Sequence, residues 1–515
     1  MQLVIEEIKN LFQSYSTSPV ISIEKLPQSG SDRIYFRLIA EHGSYIATFN
    51  KNIKENLTFL NFSFHFKKKN CPVPEIYTVN KEQSIYIQED FGDESLLTRL
   101  EQYGQNEYTY GLIKQSLKSL AWLQINGDRN LDYNWCITSK KFGKQAIITD
   151  LLYFKYYFLD TLKIPYDKEK LIDDFEALGT YLTKVDHKYF MFRDFQSRNI
   201  MVKNEEVHFI DYQGGMKGAL QYDVASLLWQ AKASLSEDWK NSLLEDYMNE
   251  VEQLLELSID RHQFISQFNG YVLIRLLQVL GAYGFRGLFE RKAHFLSSIP
   301  LALRNIKFFI EHKSIGISIP EFDRIMNLMV KDEMIKKFET VRATENTPLV
   351  VTICSFSYKK GLPVDTSANG GGYVFDCRGI LNPGRYKEYK TATGRDKPVI
   401  DFLEQRTKMP DFLNSVFDIV DISVEDYIKR DFESLTVSFG CTGGQHRSVY
   451  AADHLARHLK NKFGVKIELS HKVQDAKNWV NTIEEPSSRL GKGVQRSNFP
   501  NQINFEIVNP KELHF

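Results

Sequence analysis

The chain has 515 residues, enough for about three structural units of ordinary size. Hydrophobic residues make up 43% of it and charged residues 25%, which is enough apolar material for several buried cores and excludes global disorder. Lysine plus arginine equals aspartate plus glutamate at 65 each, so no overall charge attracts nucleic acid or a membrane and any such contact must come from a local patch.

The five cysteines are far apart, odd in number and form no C-x-x-C pair, which favours a reducing cytosol over a disulfide framework or a zinc site. The first residues, MQLVIEEIKNLF, include acids and lack the basic region of a signal peptide. The apolar stretch of residues 271–283 is interrupted by Arg275 and is too short to cross a bilayer. We therefore expect a cytoplasmic protein without membrane contact.

Short β-rich runs dominate residues 20–91. Residues 34–39 and 45–49 flank a turn-like His-Gly-Ser and predict a hairpin, and residues 84–88 predict a further strand. From residue 108 to about 184 the apolar spacing becomes helical.

Two short strands are predicted between residues 189 and 211, where they flank a polar loop, and helical patterning dominates from residue 223 to about 338. A β-rich lobe followed by a large helical lobe is a bilobal α+β layout.

Residues 339–347 (ETVRATENT) are polar and without periodicity, which predicts a linker. Three predicted strands and a predicted helix follow it, at residues 349–353, 373–377, 435–439 and 449–463. This alternation predicts a separate α/β domain. The tail beyond about residue 473 mixes Pro, Ser, Gly and Asn, so we expect it to be irregular.

The segment FRDFQSRNIMV, followed by VHFIDYQ, carries the first chemical pattern. Asp194 could orient an acceptor hydroxyl and take its proton, while Asn199 and Asp211 offer hard oxygen ligands for Mg²⁺. Either aspartate alone would fit a turn, and Asn199 alone would fit a cap. The ordered set Asp-x4-Asn followed by a strand-ending Asp favours phosphoryl transfer.

These two runs, with YDVASLL after them and GSDRIYFRL and IQEDFGD before them, resemble the aminoglycoside phosphotransferase family, most closely its anomeric N-acetylmuramate and N-acetylglucosamine kinases. The resemblance implies a protein-kinase-like fold with ATP and Mg²⁺, in which Asp194 is catalytic and Asn199 and Asp211 bind metal. It implies a nucleotide-covering hairpin and a hinge beside adenine, with cofactor-binding residues Ser31, Arg33, Tyr35, Gln88, Glu89 and Phe91.

Two positions depart from this family. Phe192 stands where a histidine is usual, and residues 45–49 contain no lysine where a phosphate-pairing lysine is usual. Lys51 or Arg33 could replace that charge. For Arg33 and Arg37 a solvated hairpin charge is an equal alternative.

The second pattern, GCTGGQHRS over residues 440–448, lies between a predicted strand and a predicted helix. Glycines let backbone N–H groups converge, the helix start adds its positive dipole end, and Arg447 offers a bidentate fork, so the loop favours phosphate. Its C-x5-R-S spacing is also that of cysteine phosphatases, in which a thiolate attacks phosphate. A plain glycine-rich turn is the third interpretation.

Residues 355–471 resemble the C-terminal domain of the RNase adapter protein RapZ, through GLPVD, VFDCR, LNP, TGRDKPV and CTGGQHRSVY. The resemblance implies a domain that binds a small RNA and senses glucosamine 6-phosphate. Lys360 replaces a family histidine, and residues 369–372 are inserted. The expected sugar-phosphate residues are Cys441, Thr442, Gly443, Gly444, His446, Arg447, Ser448, Arg378 and Lys360.

Cations and aromatics alternate in RYKEYK, residues 385–390, with Arg395 and Lys397 after it. Such a patch could contact phosphates and stack bases of an RNA. An exposed charged loop is an equal alternative.

Together these patterns predict an ATP- and Mg²⁺-dependent sugar kinase, acting on an amino sugar in cell-wall recycling, with a C-terminal domain that binds a phosphorylated sugar. The alternative is an RNA-binding adapter whose kinase-like half senses nucleotide, and either protein could form a homo-oligomer. The expected domains are a kinase at residues 1–338 (lobes about 1–91 and 92–338), a linker at 339–347, a RapZ C-terminal-like domain at 348–475 and a tail at 476–515.

Overall fold

The computed structural model describes residues 2–26, 33–185, 188–230, 233–289, 293–296, 298–339, 341–365 and 371–476. The described residues divide into two compact units: one contains those of residues 2–289 and 298–336, and the other contains those from 337 onward. Residues 293–296 group with the second unit. Ser31 and the predicted tail after residue 476 lie outside the described residues.

The amino-terminal lobe of the first unit consists of α1 (Gln2–Tyr15), β1 (Val20–Lys25), β2 (Ile34–Ala40), β3 (Gly43–Phe49), α2 (Ile53–Lys68), β4 (Ile76–Val79) and β5 (Ile85–Glu89). Its strands form one antiparallel sheet in the order β1-β2-β3-β5-β4. The predicted hairpin is present, with Phe36 opposite Ala47. Ile8 and Phe12 of α1 pack in one buried cluster with Phe36.

Helix α2 was missed by the sequence reading, which placed only strands in this lobe. Phe62, Phe64 and Phe66 alternate with polar residues as in a strand. The Asn52 side chain nevertheless caps a helix, accepting a hydrogen bond from the backbone N–H of Glu55 at 3.3 Å. Phe59 of α2 stacks on Tyr86 of β5. Phe62 and Phe66 contact Phe190 in the carboxyl-terminal lobe, while Phe64 is left exposed.

The chain from residue 96 to residue 336 forms α3 (Leu96–Tyr103), α4 (Glu107–Asp128), α5 (Lys144–Phe154), α6 (Lys168–Leu182), β6 (Lys188–Met191), β7 (Ile200–Lys203), β8 (Glu206–Phe209), β9 (Met216–Ala219), α7 (Gln221–Leu228), α8 (Glu237–Leu255), α9 (Arg261–Tyr283), α10 (Ala293–Leu296), α11 (Ile299–His312), α12 (Pro320–Met329) and α13 (Asp332–Lys336). All of these except α10 belong to the carboxyl-terminal lobe of the first unit. Strand β6 pairs with β9 and β7 pairs with β8, both antiparallel.

Among the described residues one helix, Arg261–Phe289, has the length and composition to cross a bilayer. Its most apolar window is 72% buried inside the protein. Val272, Ile274 and Leu277 all lie in the core, so the apolar character of this helix is used in packing its own lobe.

The second unit continues with β10 (Val350–Ser357), β11 (Tyr373–Asp376), α14 (Lys397–Arg406), α15 (Met409–Lys429), β12 (Ser434–Cys441), α16 (Arg447–Phe463), β13 (Lys466–His471) and α17 (Lys472–Asp475). Its sheet is parallel, in the order β11-β12-β10-β13, and packs with the helices around one apolar core. The predicted α/β domain is therefore present. The predicted linker is anchored at Ala343, whose N–H donates to the carbonyl of Phe463 at 2.7 Å.

Candidate functional site

Asp194 lies in the loop between β6 and β7 and is 1% exposed. Gln196 Nε2 donates to its Oδ1 at 2.7 Å, and Asn199 Nδ2 lies 3.4 Å from its Oδ2. The guanidinium groups of Arg198 and Arg275 approach the same carboxylate at 3.6 and 4.0 Å. These donors hold the carboxylate in one orientation, as a proton acceptor requires.

The backbone that presents Asp194 is held by Asp223 of α7, a residue whose role the sequence reading did not identify. Its carboxylate accepts the N–H groups of Phe192 and Arg193 at 2.7 and 2.9 Å and the Gln124 amide at 2.9 Å. Arg193 has φ +79°, and its side chain pairs with Asp150 at 3.0 Å. The strained loop is thus fixed from two sides.

Asn199 and Asp211 flank the β7–β8 pair. The Asn199 amide donates through Nδ2 to the Asp194 carbonyl at 2.9 Å, which leaves its Oδ1 as the acceptor atom. Ile210 donates its N–H to the Asn199 carbonyl at 3.1 Å and so sets Asp211 beside it. Gln213 Nε2 donates to Asp211 Oδ1 at 2.7 Å. The three residues predicted as one constellation are therefore neighbours.

No group of three or more His, Cys, Asp or Glu side chains in the described ranges could hold a metal ion alone. One amide and one carboxylate still fit Mg²⁺ with a nucleotide, because this ion keeps waters and takes phosphate oxygens as ligands. Asn199 and Asp211 are the residues that would hold it.

Arg33 is a buried cation beside this pair, with a side chain 6% exposed. It forms an ion pair with Glu55 of α2, and its Nη1 lies 3.5 Å from Asp211 Oδ1 and donates to the Tyr35 hydroxyl at 3.1 Å. Asn50 Nδ2 donates to the other Glu55 oxygen at 3.1 Å. The helix cap at Asn52 was the one sequence signal that could have located Glu55.

The predicted hinge lies at the end of β5 and just after it. Gln88 is buried, and Glu89 lies 3.4 Å from Lys67 Nζ. The Phe91 ring stacks on His208 with centroids 4.2 Å apart. The hinge residues thus lie at the junction of the two lobes of the first unit.

In the second unit, residues 441–447 connect β12 to α16 and are called the Cys441 loop here. They include the last residue of β12 and the first residue of α16. The Cys441 thiol lies at its base and is 3% exposed. Gly444 N–H donates to Sγ at 3.2 Å, and Ser448 Oγ lies 3.1 Å from it. Burial opposes ionisation of this thiol, but the Ser448 hydrogen bonds and the Arg447 charge outweigh it and lower the pKa of Cys441.

Arg447 is 3% exposed and fixed by three oxygens. Nη1 donates to the carbonyls of Arg378 and Ile380 at 3.1 and 2.6 Å, and Nη2 donates to Thr442 Oγ1 at 3.4 Å. Within the described chain its buried Nε has no hydrogen-bond partner. The guanidinium therefore presents an unsatisfied edge beside a helix N-terminus, which is an anion-binding arrangement.

Comparison with known proteins gives separate matches for the two parts of the chain. Residues 22–257 match the family model of the phosphotransferase enzyme family, and residues 349–475 match that of the RapZ C-terminal domain. The chain joins a phosphotransferase domain to a RapZ C-terminal domain. The predicted fold class is confirmed for both parts.

Curated relatives are matched over part of their length. A nucleotide-binding protein of Lactobacillus helveticus is 36% identical over 141 residues, 27% of this chain and 47% of the relative. One from Glaesserella parasuis serovar 5 is 32% identical over 185 residues, 35% of this chain and 62% of the relative. The chain spans about half the length of these relatives.

Solved structures of kinases are also similar to the chain. The amicoumacin kinase hAmiN in complex with AMP-PNP, Ca²⁺ and Ami is 12% identical, with a TM-score of 0.42 over 62% of this chain and 96% of that one. A choline/ethanolamine kinase family protein from Mesorhizobium loti is 13% identical, with a TM-score of 0.39 over 62% and 91%.

The two departures of the phosphotransferase domain have structural counterparts. Phe192 is buried, and its ring packs 5.2 Å from Phe195 and 6.1 Å from Phe209, so an apolar residue fits where a histidine is usual. Of the two cations considered as substitutes for the missing lysine, Arg33 lies beside Asp211 whereas Lys51 is exposed.

In the RapZ C-terminal domain the predicted ligand residues occupy different positions relative to the Cys441 loop. Thr442 and Gly443 are exposed at its apex. Arg378 meets the loop through its carbonyl, while its guanidinium pairs with Asp376 at 2.7 Å. His446 Nε2 bonds to the Tyr389 carbonyl at 2.8 Å, and Lys360 is exposed on the turn after β10.

The residues of the predicted RNA patch differ in their exposure and in their contacts. Lys387 and Lys390 are exposed, and Tyr386 is 39% exposed. Arg395 instead pairs with Asp453 at 2.6 Å and lies 2.8 Å from His471 Nε2. Its guanidinium is therefore engaged within the domain.

Proposed function

We propose that this protein is a cytoplasmic ATP- and Mg²⁺-dependent kinase that phosphorylates a sugar hydroxyl, with N-acetylmuramate or N-acetylglucosamine as the expected acceptor. The RapZ C-terminal domain would bind a phosphorylated amino sugar as product or regulator. The observation that carries the kinase proposal is the placement of Asn199 beside both Asp194 and Asp211, with the Arg33 charge next to them.

Asp194 accepts the proton of the acceptor hydroxyl as its oxygen bonds to the γ-phosphorus and the bond to ADP breaks. Gln196 keeps the carboxylate aimed at the acceptor. Arg198 and Arg275 lie 3.6 and 4.0 Å from the carboxylate and balance its negative charge before the proton is transferred. Asn199 and Asp211 would hold Mg²⁺, which would neutralise phosphate charge. Arg33 adds a fixed cation on the amino-terminal-lobe side of the nucleotide.

The experiment is ³¹P NMR of the full chain with ATP, Mg²⁺ and a panel of amino and neutral sugars. We expect one new sugar-phosphate resonance and ADP, and a loss of about 10²–10⁴-fold in rate for Asp194→Ala. Asp332→Asn, a surface carboxylate variant, should be unchanged. The proposal fails if no sugar is phosphorylated or if Asp194→Ala is as fast as wild type.

The second candidate is RNA binding by the RapZ C-terminal domain. It is supported by the exposed cations and Tyr386 in residues 385–390. Gel shifts with cellular RNA should give a complex that Lys387→Glu with Lys390→Glu removes. A wild-type protein without any such complex would exclude this candidate.

A further inference from the structure

The Cys441 thiol has the surroundings of a nucleophile as well as those of a ligand. The Gly444 N–H and the Ser448 hydroxyl both lie within hydrogen-bond distance of Sγ, at 3.2 and 3.1 Å. Donors to sulfur stabilise the thiolate, which is the reactive form of cysteine. A plain glycine-rich turn does not need these contacts.

Arg447 is the second, independent observation. Its guanidinium is buried and oriented by two carbonyls, yet Nε has no partner in the part of the chain that the structure describes. A buried donor without an acceptor is costly unless a ligand supplies one. The Nε–Nη2 edge matches two oxygens of a phosphate group.

The apex of the Cys441 loop, above the buried thiol, is open to solvent. Thr442 and Gly443 are exposed, and a Cβ added to Gly443 would meet no atom within 4 Å. A phosphate on the loop would therefore lie between solvent and the sulfur at the base.

We propose that Cys441 is a phosphoryl-accepting nucleophile that cleaves phosphate monoesters and acyl phosphates whose leaving group departs as a stable anion. This rests on the proposed phosphate site. The thiolate attacks phosphorus, the S–P bond forms and the P–O bond to the leaving group breaks. Water then attacks the phosphocysteine, the P–S bond breaks, inorganic phosphate leaves and its extra proton passes to solvent.

The leaving-group class follows from Asp376, the carboxylate at the end of β11. Both of its carboxylate oxygens accept hydrogen bonds from the Arg378 guanidinium, at 2.7 to 3.0 Å, so Asp376 is held as an ion-paired carboxylate and does not supply a proton. The same hydrogen bonds lower the pKa of Asp376. Alkyl esters such as sugar phosphates need that proton and would stay bound without being cleaved. Phenolates and carboxylates leave without it.

The test uses the full chain without ATP, so the kinase is silent. p-Nitrophenyl phosphate and acetyl phosphate should release inorganic phosphate, and Cys441→Ser should lower the rate roughly 100-fold or more. Acid quenching should trap one phosphoryl group on the Cys441 peptide. Cys354→Ser, a buried cysteine of β10, should retain turnover. Alkylation of the wild type by iodoacetamide should occur first at Cys441, which tests the thiolate without any variant.

Calorimetry with inorganic phosphate separates the two proposals. Binding to wild type without turnover of either probe overturns the nucleophile and leaves the phosphate site standing. Absence of binding overturns both. Turnover that persists in Cys441→Ser also overturns the nucleophile.

Discussion

Arg33 forms an ion pair with Glu55, and the same guanidinium lies 3.5 Å from Asp211. The pair joins the start of β2 to helix α2, so the cation lies where the sheet, the helix and the segment that holds Asp211 meet. Strand β3 offers no lysine for this purpose. We propose that Arg33, which precedes β2, supplies this charge instead.

Arg33→Met should lower kcat/KM for ATP by about 10²–10³-fold, because a preorganised cation beside the phosphates is lost. Thr48 lies opposite Tyr35 on β3 and is fully buried. Adding Thr48→Lys to Arg33→Met should restore at least part of the loss. Lys51→Met serves as the control and should keep the wild-type kcat/KM for ATP. The measurement is steady-state kinetics with ATP as the varied substrate. An Arg33→Met enzyme with wild-type kinetics would contradict the assignment.

Asn199→Ala should raise the Mg²⁺ concentration for half-maximal activity tenfold or more, since an oxygen ligand is removed. Asn199→Asp keeps an oxygen ligand but loses the donor to the Asp194 carbonyl, so we expect near-normal Mg²⁺ dependence with reduced kcat. Asn249→Ala, on the surface of α8, is the matched control. Equal Mg²⁺ titrations for all four proteins would remove Asn199 from the metal site.

Gly444→Ala should destabilise the RapZ C-terminal domain by about 2 kcal/mol or more. Gly444 has φ +64°, and its added Cβ would meet Val473 Cγ2 at 2.5 Å. The same substitution at Gly443, whose Cβ meets nothing within 4 Å, should change the unfolding free energy by less than about 0.5 kcal/mol. Calorimetric unfolding and titration with glucosamine 6-phosphate test both variants. Similar losses at the two glycines would show that the loop geometry does not matter.

His454 should make the second unit sensitive to acid. Burial lowers the pKa of His454 from 6.5 to about 4. The unfolded chain therefore binds a proton between pH 6.5 and 4 that the folded domain excludes, so stability falls as pH falls through this window, by at most about 3 kcal/mol.

His454→Phe keeps an aromatic ring next to Tyr450, whose centroid is 4.0 Å away, and cannot be protonated. Its thermal unfolding should depend less on pH than that of wild type, while the exposed His262→Gln should behave as wild type. A pH dependence unchanged by His454→Phe would assign the effect to other groups.

Local patterns were sufficient for much of the fold. Three parts of the fold lie where the spacing of apolar residues and the turn residues predicted them. They are the hairpin of β2 and β3, the loop that holds Asp194 and Asn199, and the β12–α16 unit. Each of them depends on neighbours in sequence. Helix α2 was missed because the alternation of Phe62, Phe64 and Phe66 with polar residues is typical of a strand. The packing of Phe62 and Phe66 against Phe190 overrides that pattern.

Long-range partners could not be read from the chain. The residues near Arg33 in the sequence do not indicate that Glu55 and Asp211 are its partners. In the same way, the residues near Arg395 do not indicate its contacts with Asp453 and His471. The sequence by itself determined which residues are the candidates for the chemistry, because the type and spacing of Asp194, Asn199 and Cys441 are local properties. Only the tertiary structure decided which charges face them, because an ion pair depends on distances in space that the order of residues does not set.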